Sequence, residues 1–313
     1  AAVVNNNAAA TMLALSAMAE GREVIVSRGQ LIEIGGSYRL PDVMECSGAK
    51  LREVGTTNKT HLFDYQRAIN EETGALLKVH PSNFEVVGFT KTVSTKEMVA
   101  LASEHDLPVI DDVGSGALID FSEFGLMDEP VVSQSIKDGA DVVLFSGDKL
   151  IGGPQCGIII GKRKYIDTIL SNPLMRAMRV DKMTLAALSA TLLIYRDENR
   201  ARTEIPILRM LSMPKENLKL RAEKIVAQLS HLGELEICEA VEADSMLGGG
   251  SLPTQKLSTW CVALTPKTQS VDRLAAGLRN GEPSVIGRVQ KERFFLDMRT
   301  VQPSQDSGLV ESI

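Results

Sequence analysis

Short apolar runs alternate with helix-patterned stretches through residues 1–200, and this alternation restricts the chain more than any other feature. REVIVS (22–27), GALLKVH (74–80), LPVIDDV (107–113) and DVVLFSG (141–147) read as buried strands. Between them lie an alanine-rich, helix-prone segment at 8–19 and the amphipathic STKEMVALASEHD (94–106), with Ser94 as cap and Glu97 at the capping-box position. Strand, helix, strand in succession predicts a mostly parallel sheet covered by helices, the α/β class. QCGIIIG (155–161) is expected as a further strand after a tight turn, and 181–198 as one long helix leading out of this layer. Beyond about residue 205 the pattern changes. A charged helix at 215–231 precedes short strands in ELEICEA and STWCVALTP, a helix in VDRLAAGLRN, and a last pair in VIGRV and RFFLDMR. The expected organisation is a large domain over 1–200 and a smaller α+β domain over 201–313, with GGG (248–250) as a flexible loop.

A net charge of −6 gives no global pull toward nucleic acid or acidic membranes. The basic clusters GKRKY (161–165) and RDENRAR (196–202) read first as solvated faces. Four scattered cysteines without a CxxC pair suggest reduced thiols in a cytosolic protein, and with four dispersed histidines they argue against structural zinc. The opening AAVVNNNAAATMLALSAMAEG has no initiator Met and no basic leader, and its apolar run is too short to cross a bilayer. It reads as a chain that starts within a domain of a cytoplasmic protein.

Three features fall at strand ends, where open α/β sheets place their ligands. They are Lys149 in SGDKLIGG, Asp112 in IDDVGSGAL, and Asn5-Asn6-Asn7 ahead of a helix of small residues. Taken singly each has a bland reading: a solvated lysine, a turn-forming aspartate, a helix cap. Together they match what pyridoxal 5'-phosphate requires. A lysine amine holds the aldehyde as a Schiff base, a carboxylate keeps the ring nitrogen protonated, and a helix N-terminus cradles the phosphate. Asn6, Asn7 and the amides of Ala8 and Ala9 are the candidates for that cradle.

Longer motifs sharpen this. VNNNAAA, SRGQLIEIGGSYRLPDVM, EVGTTNKTH, KVHPSNF, DDVGSGAL, FSGDKLIGGPQCGIIIGKR and NPLMRAMRVDKMTLAAL resemble, in this order, the bacterial L-seryl-tRNA(Sec) selenium transferase (selenocysteine synthase) family. The resemblance runs from residue 4 to about 195 and resumes in GSLP (250–253) and VIGRVQKERFFLDMR. It implies the aspartate-aminotransferase-like fold, fold type I. Lys149 is implied as the Schiff-base lysine and Asp112 as the partner of the ring nitrogen, with Asp111 ranked behind because the matching position directly precedes Val-Gly-Ser-Gly. Asn83 in HPSNF is implied as a partner of the cofactor's phenolic oxygen. Arg176 and Arg179 in PLMRAMR are implied to bind the phosphate-bearing selenium donor, their i, i+3 spacing placing both on one face if the segment is helical. Arg28 and Arg39 are further pocket candidates.

The activity so implied converts seryl-tRNA(Sec) to selenocysteinyl-tRNA(Sec), by β-elimination of water to an aminoacrylyl-tRNA and addition of selenium from selenophosphate. A homo-oligomer, at least a dimer and by resemblance a ring of dimers, is expected. So is a further N-terminal region that engages tRNA and is absent from this chain. Two rival readings stand beside it. A pyridoxal-phosphate lyase acting on a small phosphorylated amino acid or amino sugar acid would release ammonia without tRNA. A non-catalytic ligand-binding or scaffold module would show no visible chromophore.

Overall fold

The computed structural model of the protein describes residues 1–36, 38–248 and 251–313. Ser37 of the SRGQLIEIGGSYRLPDVM motif, and Gly249 and Gly250 of the expected glycine loop, lie outside the described residues. The chain forms two compact units, one of residues 1–198 with 248–254, the other of 199–247 with 255–313.

In the first unit the strands are β1 (Ala2–Val4), β2 (Glu23–Ser27), β3 (Glu33–Ile34), β4 (Tyr38–Arg39), β5 (Lys50–Val54), β6 (Thr73–Val79), β7 (Val109–Gly114), β8 (Val142–Ser146) and β9 (Gly157–Gly161). Seven of them make one sheet in the order β1-β9-β8-β7-β6-β2-β5, while β3 and β4 pair separately. From β5 to β8 every neighbouring pair is parallel. β9 is antiparallel to β8 because the connection between them carries no helix, and β1 is antiparallel to β9. The sheet is buried on both faces, so its side chains sort with a period of two. Val24, Val26, Leu77 and Leu144 pack with Leu13 and Ala14 of the Asn7–Ala19 helix. Ile25, Leu76 and Val109 point the other way, into Met98 and Leu101 of the Thr95–Ser103 helix. That helix starts with the expected capping box between Ser94 and Glu97.

Two strands of the seven-stranded sheet escape the sequence reading, as does the β3–β4 ribbon. β1, Ala-Val-Val, is too short to show a period, and β5, an edge strand with the sequence KLREV, exposes four of its five residues and carries no apolar signature. The helix expected over 181–198 ends early, at Ile194. Asp181 caps Lys182–Ile194, whose end is closed at Tyr195, where the hydroxyl donates to the Ile151 carbonyl at 2.9 Å. A new helix begins at Glu198.

In the second unit β10 (Leu235–Met246), β11 (Lys256–Pro266), β12 (Arg288–Gln290) and β13 (Arg293–Asp297) form an antiparallel sheet in the order β10-β11-β13-β12. Leu218, Ala222, Ile225 and Leu229 form one stripe of the Lys215–Leu229 helix and pack with Val262, Leu264, Phe294 and Leu296. Arg221 on the same helix donates to both carboxylate oxygens of Asp306, at 2.6 and 3.0 Å, and to the Met298 and Val301 carbonyls.

Candidate active site

The carboxyl ends of β6, β7 and β8 and the first turn of the Asn7–Ala19 helix enclose a cavity of about 390 Å³, a size suited to a small cofactor. Lys149 and Asp112 both line it, as do Asn6, Asn7 and Ala8. Lys149 sits in the turn after β8. There Gly147 N bonds Cys156 O and Gly153 N bonds Gly147 O, both at 2.9 Å, while Leu150 N bonds Ser115 O at 3.1 Å, which ties the lysine turn to the end of β7. Gly116 makes this approach feasible. Its φ is +75°, and a Cβ there would lie 2.6 Å from the Ser146 carbonyl. Gly157 plays the same part for the helix, since a Cβ at this position would collide with the Asn6 carbonyl.

Adjacent positions on a strand face opposite sides, and β7 uses this to separate its two aspartates. Asp112 turns toward the first helix, accepting from Asn7 Nδ2 at 2.8 Å and from Thr11 Oγ1 at 2.9 Å. Asp111 turns away and accepts from Thr95 Oγ1 at 2.9 Å, which in turn receives Lys78 Nζ at 2.7 Å. Both carboxylates are buried, but only Asp112 shares a cavity with Lys149.

Burial pushes the Asp112 carboxyl above the usual carboxylate range, against the lowering effect of the Asn7 and Thr11 hydrogen bonds and of the Lys149 charge. Burial likewise lowers Lys149 from the usual lysine range, against the charges of Asp112, Asp148 and Glu129. Both shifts run against the charged form of each group. An uncharged amine is the nucleophilic form.

The remaining candidates are distributed as follows. Asn6 caps the first helix, its Oδ1 accepting from Ala9 N at 2.8 Å, so Ala9 N is already engaged. The Asn7 and Ala8 amides precede any acceptor within the helix. Asn7 spends its Nδ2 on Asp112, while its Oδ1 is buried without a hydrogen-bond partner among the described residues. Asn83 donates to the Glu33 carbonyl at 2.8 Å and does not line the cavity. Arg176 and Arg179 do not share a helical face. The helix is Leu174–Met178, and Arg179 follows it in extended conformation, bridged to Val4, because the chain there joins the edge of the sheet. Both arginines are exposed, neither lines the cavity, and neither has a carboxylate partner among the described residues. Arg28 pairs with Glu53 and Arg39 with Glu33 and Asp42, outside the cavity lining. In the basic cluster 161–165, Lys162 pairs with Asp141 and Arg163 with Asp167.

Sequence reasoning passed over His80, Tyr38 and Thr11. His80 lines the cavity, its amide donates to the Asp112 carbonyl at 2.9 Å, and its Nε2 lies 3.7 Å from buried Glu129. Its signal was a histidine directly after the apolar run 74–79. Tyr38 comes from the β3–β4 ribbon, and Thr11 reads as one more small residue of a helix, so nothing local marks either one. Among the described residues no group of three His, Cys, Asp or Glu is arranged to hold a metal ion, and no helix is long and apolar enough to cross a membrane.

The family model described as L-seryl-tRNA selenium transferase matches residues 1–302. The L-seryl-tRNA(Sec) selenium transferase of Maridesulfovibrio salexigens is 53% identical over 315 residues, covering 100% of this chain and 68% of that protein. That of Alkaliphilus metalliredigens is 50% identical over 313 residues, covering 100% and 67%. The chain thus spans about two thirds of the length of these relatives. Among solved structures, D-glucosaminate-6-phosphate ammonia-lyase aligns with a TM-score of 0.64 at 21% identity, over 99% of this chain and 79% of that one. The fold is the pyridoxal-phosphate fold type I, a mostly parallel sheet with helices and an additional antiparallel sheet, as the strand and helix pattern and the motifs led us to expect.

Proposed function

Because this chain belongs to the L-seryl-tRNA selenium transferase family, we propose that it converts seryl-tRNA(Sec) to selenocysteinyl-tRNA(Sec), with pyridoxal 5'-phosphate as cofactor and selenophosphate as selenium donor. The observation that carries the reading is one cavity bounded by the amine of Lys149, the carboxyl of Asp112 and the start of a thirteen-residue helix.

These residues suit the cofactor on physical grounds. Asp112 is buried and wants a cationic N–H donor, which a protonated pyridine ring offers. The orphaned Oδ1 of Asn7 likewise wants a donor, and the Asn7 and Ala8 amides suit the phosphate, with Asn6 shaping the turn. Bound there, pyridoxal phosphate supplies an electron sink for the charge left when the serine α-proton departs.

The chain's own groups divide the rest of the work. Lys149 would hold the cofactor through its aldehyde, and its amine would be the group that takes the substrate α-proton on Nζ; its lowered basicity suits a proton acceptor near neutral pH. Asp112 would face the ring nitrogen and hold it protonated. Net loss of water and addition of selenium at the β-carbon complete the conversion. Arg176 and Arg179, exposed and without carboxylate partners among the described residues, are assigned to the phosphate of the selenium donor; Asn83 is kept as a partner of the cofactor's phenolic oxygen. In this reading residues 1–200 are the cofactor-binding domain and 201–313 the small domain of a cytoplasmic homo-oligomer.

The test is to add pyridoxal phosphate, record the visible spectrum, reduce with borohydride and map the labelled peptide. A chromophore and a label on Lys149 are expected, both lost in Lys149→Ala. A label elsewhere sinks the assignment. Selenium incorporation into seryl-tRNA that requires selenophosphate separates the transferase from a small-molecule lyase, which would release ammonia from amino acids alone.

A further inference from the structure

Glu129 comes from a connecting segment without helix or strand, yet its side chain is only 1% exposed. A buried carboxylate is costly unless its oxygens are satisfied. Oε1 accepts from the Ser115 hydroxyl, while Oε2 is buried without a hydrogen-bond partner among the described residues. Set against that orphan is His80 Nε2, at 3.7 Å. This is too long for a hydrogen bond, but the last torsion of a histidine is soft, and a turn of the ring brings the two atoms within reach. The chain is bent to put Glu129 there. Asp128 has a left-handed backbone, φ +64°, which non-glycine residues rarely adopt, and Val132 N anchors the segment on the Ala117 carbonyl at 2.9 Å.

Both neighbours of this carboxylate are tied by their backbone to the cofactor site. His80 N donates to the Asp112 carbonyl at 2.9 Å, and the Ser115 carbonyl accepts from Leu150 N, next to Lys149, at 3.1 Å. Glu129 itself is absent from the lining of the cofactor cavity. It lines a second cavity, of about 820 Å³, which shares Val79 and His80 with the first. A single carboxylate thus lies between the residues that hold the ends of β6 and β7 and the turn after β8.

We propose that Glu129 is a positioning residue: it accepts Nε2–H of His80 on Oε2 and the Ser115 hydroxyl on Oε1, and this clamp fixes the spacing of Asp112 and Lys149. The inference rests on the cofactor reading above. An ionised carboxylate only accepts, so the clamp keeps a proton on His80 Nε2 whether the ring is neutral or charged. Glutamine at this position retains an oxygen for Ser115 but offers His80 an N–H donor, which opposes two donors and breaks the clamp on one side.

Nitrogen-15 spectra of the histidine-labelled whole chain, cofactor-free and above the ordinary histidine titration range, report which ring nitrogen carries the proton. The chain has four histidines, so the His80 signals are assigned by their loss in His80→Gln. The proton is expected on Nε2 in wild type and on Nδ1 in Glu129→Gln, where the new amide donates to Nε2. Titration with pyridoxal phosphate, followed by the chromophore, should show affinity about tenfold weaker in Glu129→Gln and in His80→Leu. His80→Gln, whose amide can donate to Glu129, should keep most of it. A glutamate that merely fills space would lower the urea midpoint on substitution and leave the His80 proton where it was. A proton on Nδ1 in wild type, a proton unmoved in Glu129→Gln, or unchanged cofactor affinity in Glu129→Gln overturns the inference while the wild-type chromophore keeps the cofactor reading standing. A wild-type chain without a chromophore defeats that reading, and the positioning role with it.

Discussion

Asp111 and Asp112 are identical in type and adjacent in sequence, and pleat alone gives them different work. One is tied into a Thr95–Lys78 chain, the other is set against Lys149. The buried acid leaves a trace in stability. An unfolded aspartate titrates near 3.9, about where any exposed carboxyl does. In the fold Asp112 titrates higher, so between those two values the native chain holds a proton that the unfolded chain has lost, and stability falls as pH rises through the window. Asp112→Asn removes that dependence. Without cofactor it should be more stable than wild type above the window, by on the order of 1 kcal/mol, with the gap closing toward pH 4. Urea midpoints at acid and mildly alkaline pH check it; an equal offset at both would mean that Asp112 ionises normally in the fold.

At the scale of elements the site depends on close backbone approach. The first helix lies against β9 only because residue 157 lacks a side chain. Gly157→Ala would place a methyl group on the Asn6 carbonyl and close to Ala10 Cβ, so it should cost about 1–3 kcal/mol and displace the turn that carries Asn6, Asn7 and Ala8. Denaturant midpoints and cofactor titration should fall together; a loss of stability with unchanged cofactor affinity would separate the helix from the site. Elements with strong periodicity were legible beforehand. The four strands β2, β6, β7 and β8 and the capping box at Ser94 follow from local pattern, and Lys149 and Asp112 from their strand-end motifs. β5 was hidden by its charged, solvent-facing residues, and the break after Ile194 by a hydroxyl that bonds a carbonyl far away in sequence.

For the molecule as a whole, two units with separate hydrophobic cores make the chain. Residues 84–89 leave Phe84, Val86, Val87 and Phe89 exposed, Val87 and Phe89 at 83% and 87%. Neighbouring exposed apolar side chains of this size mark an association surface more often than a solvated one. For the homo-oligomer proposed above, Phe89→Asp is therefore expected to lower the mass in sedimentation while leaving the chromophore proposed at Lys149 in the remaining species. An unchanged assembly would remove this surface from consideration. In the basic cluster 161–165, Lys162 and Arg163 are already paired with carboxylates.

The sequence alone determined the α/β layering, the strand ends that carry Asp112 and Lys149, and the family, because periodicity, glycine placement and motif order are properties of the chain read in one dimension. Only the tertiary structure decided that Asn7 and Thr11 serve Asp112, that Arg179 lies beyond its helix, and that Asn83 bonds a carbonyl on β3. Hydrogen bonds between residues about a hundred positions apart depend on where the fold brings helices and strands together. Nothing in the local spacing of either partner encodes the other.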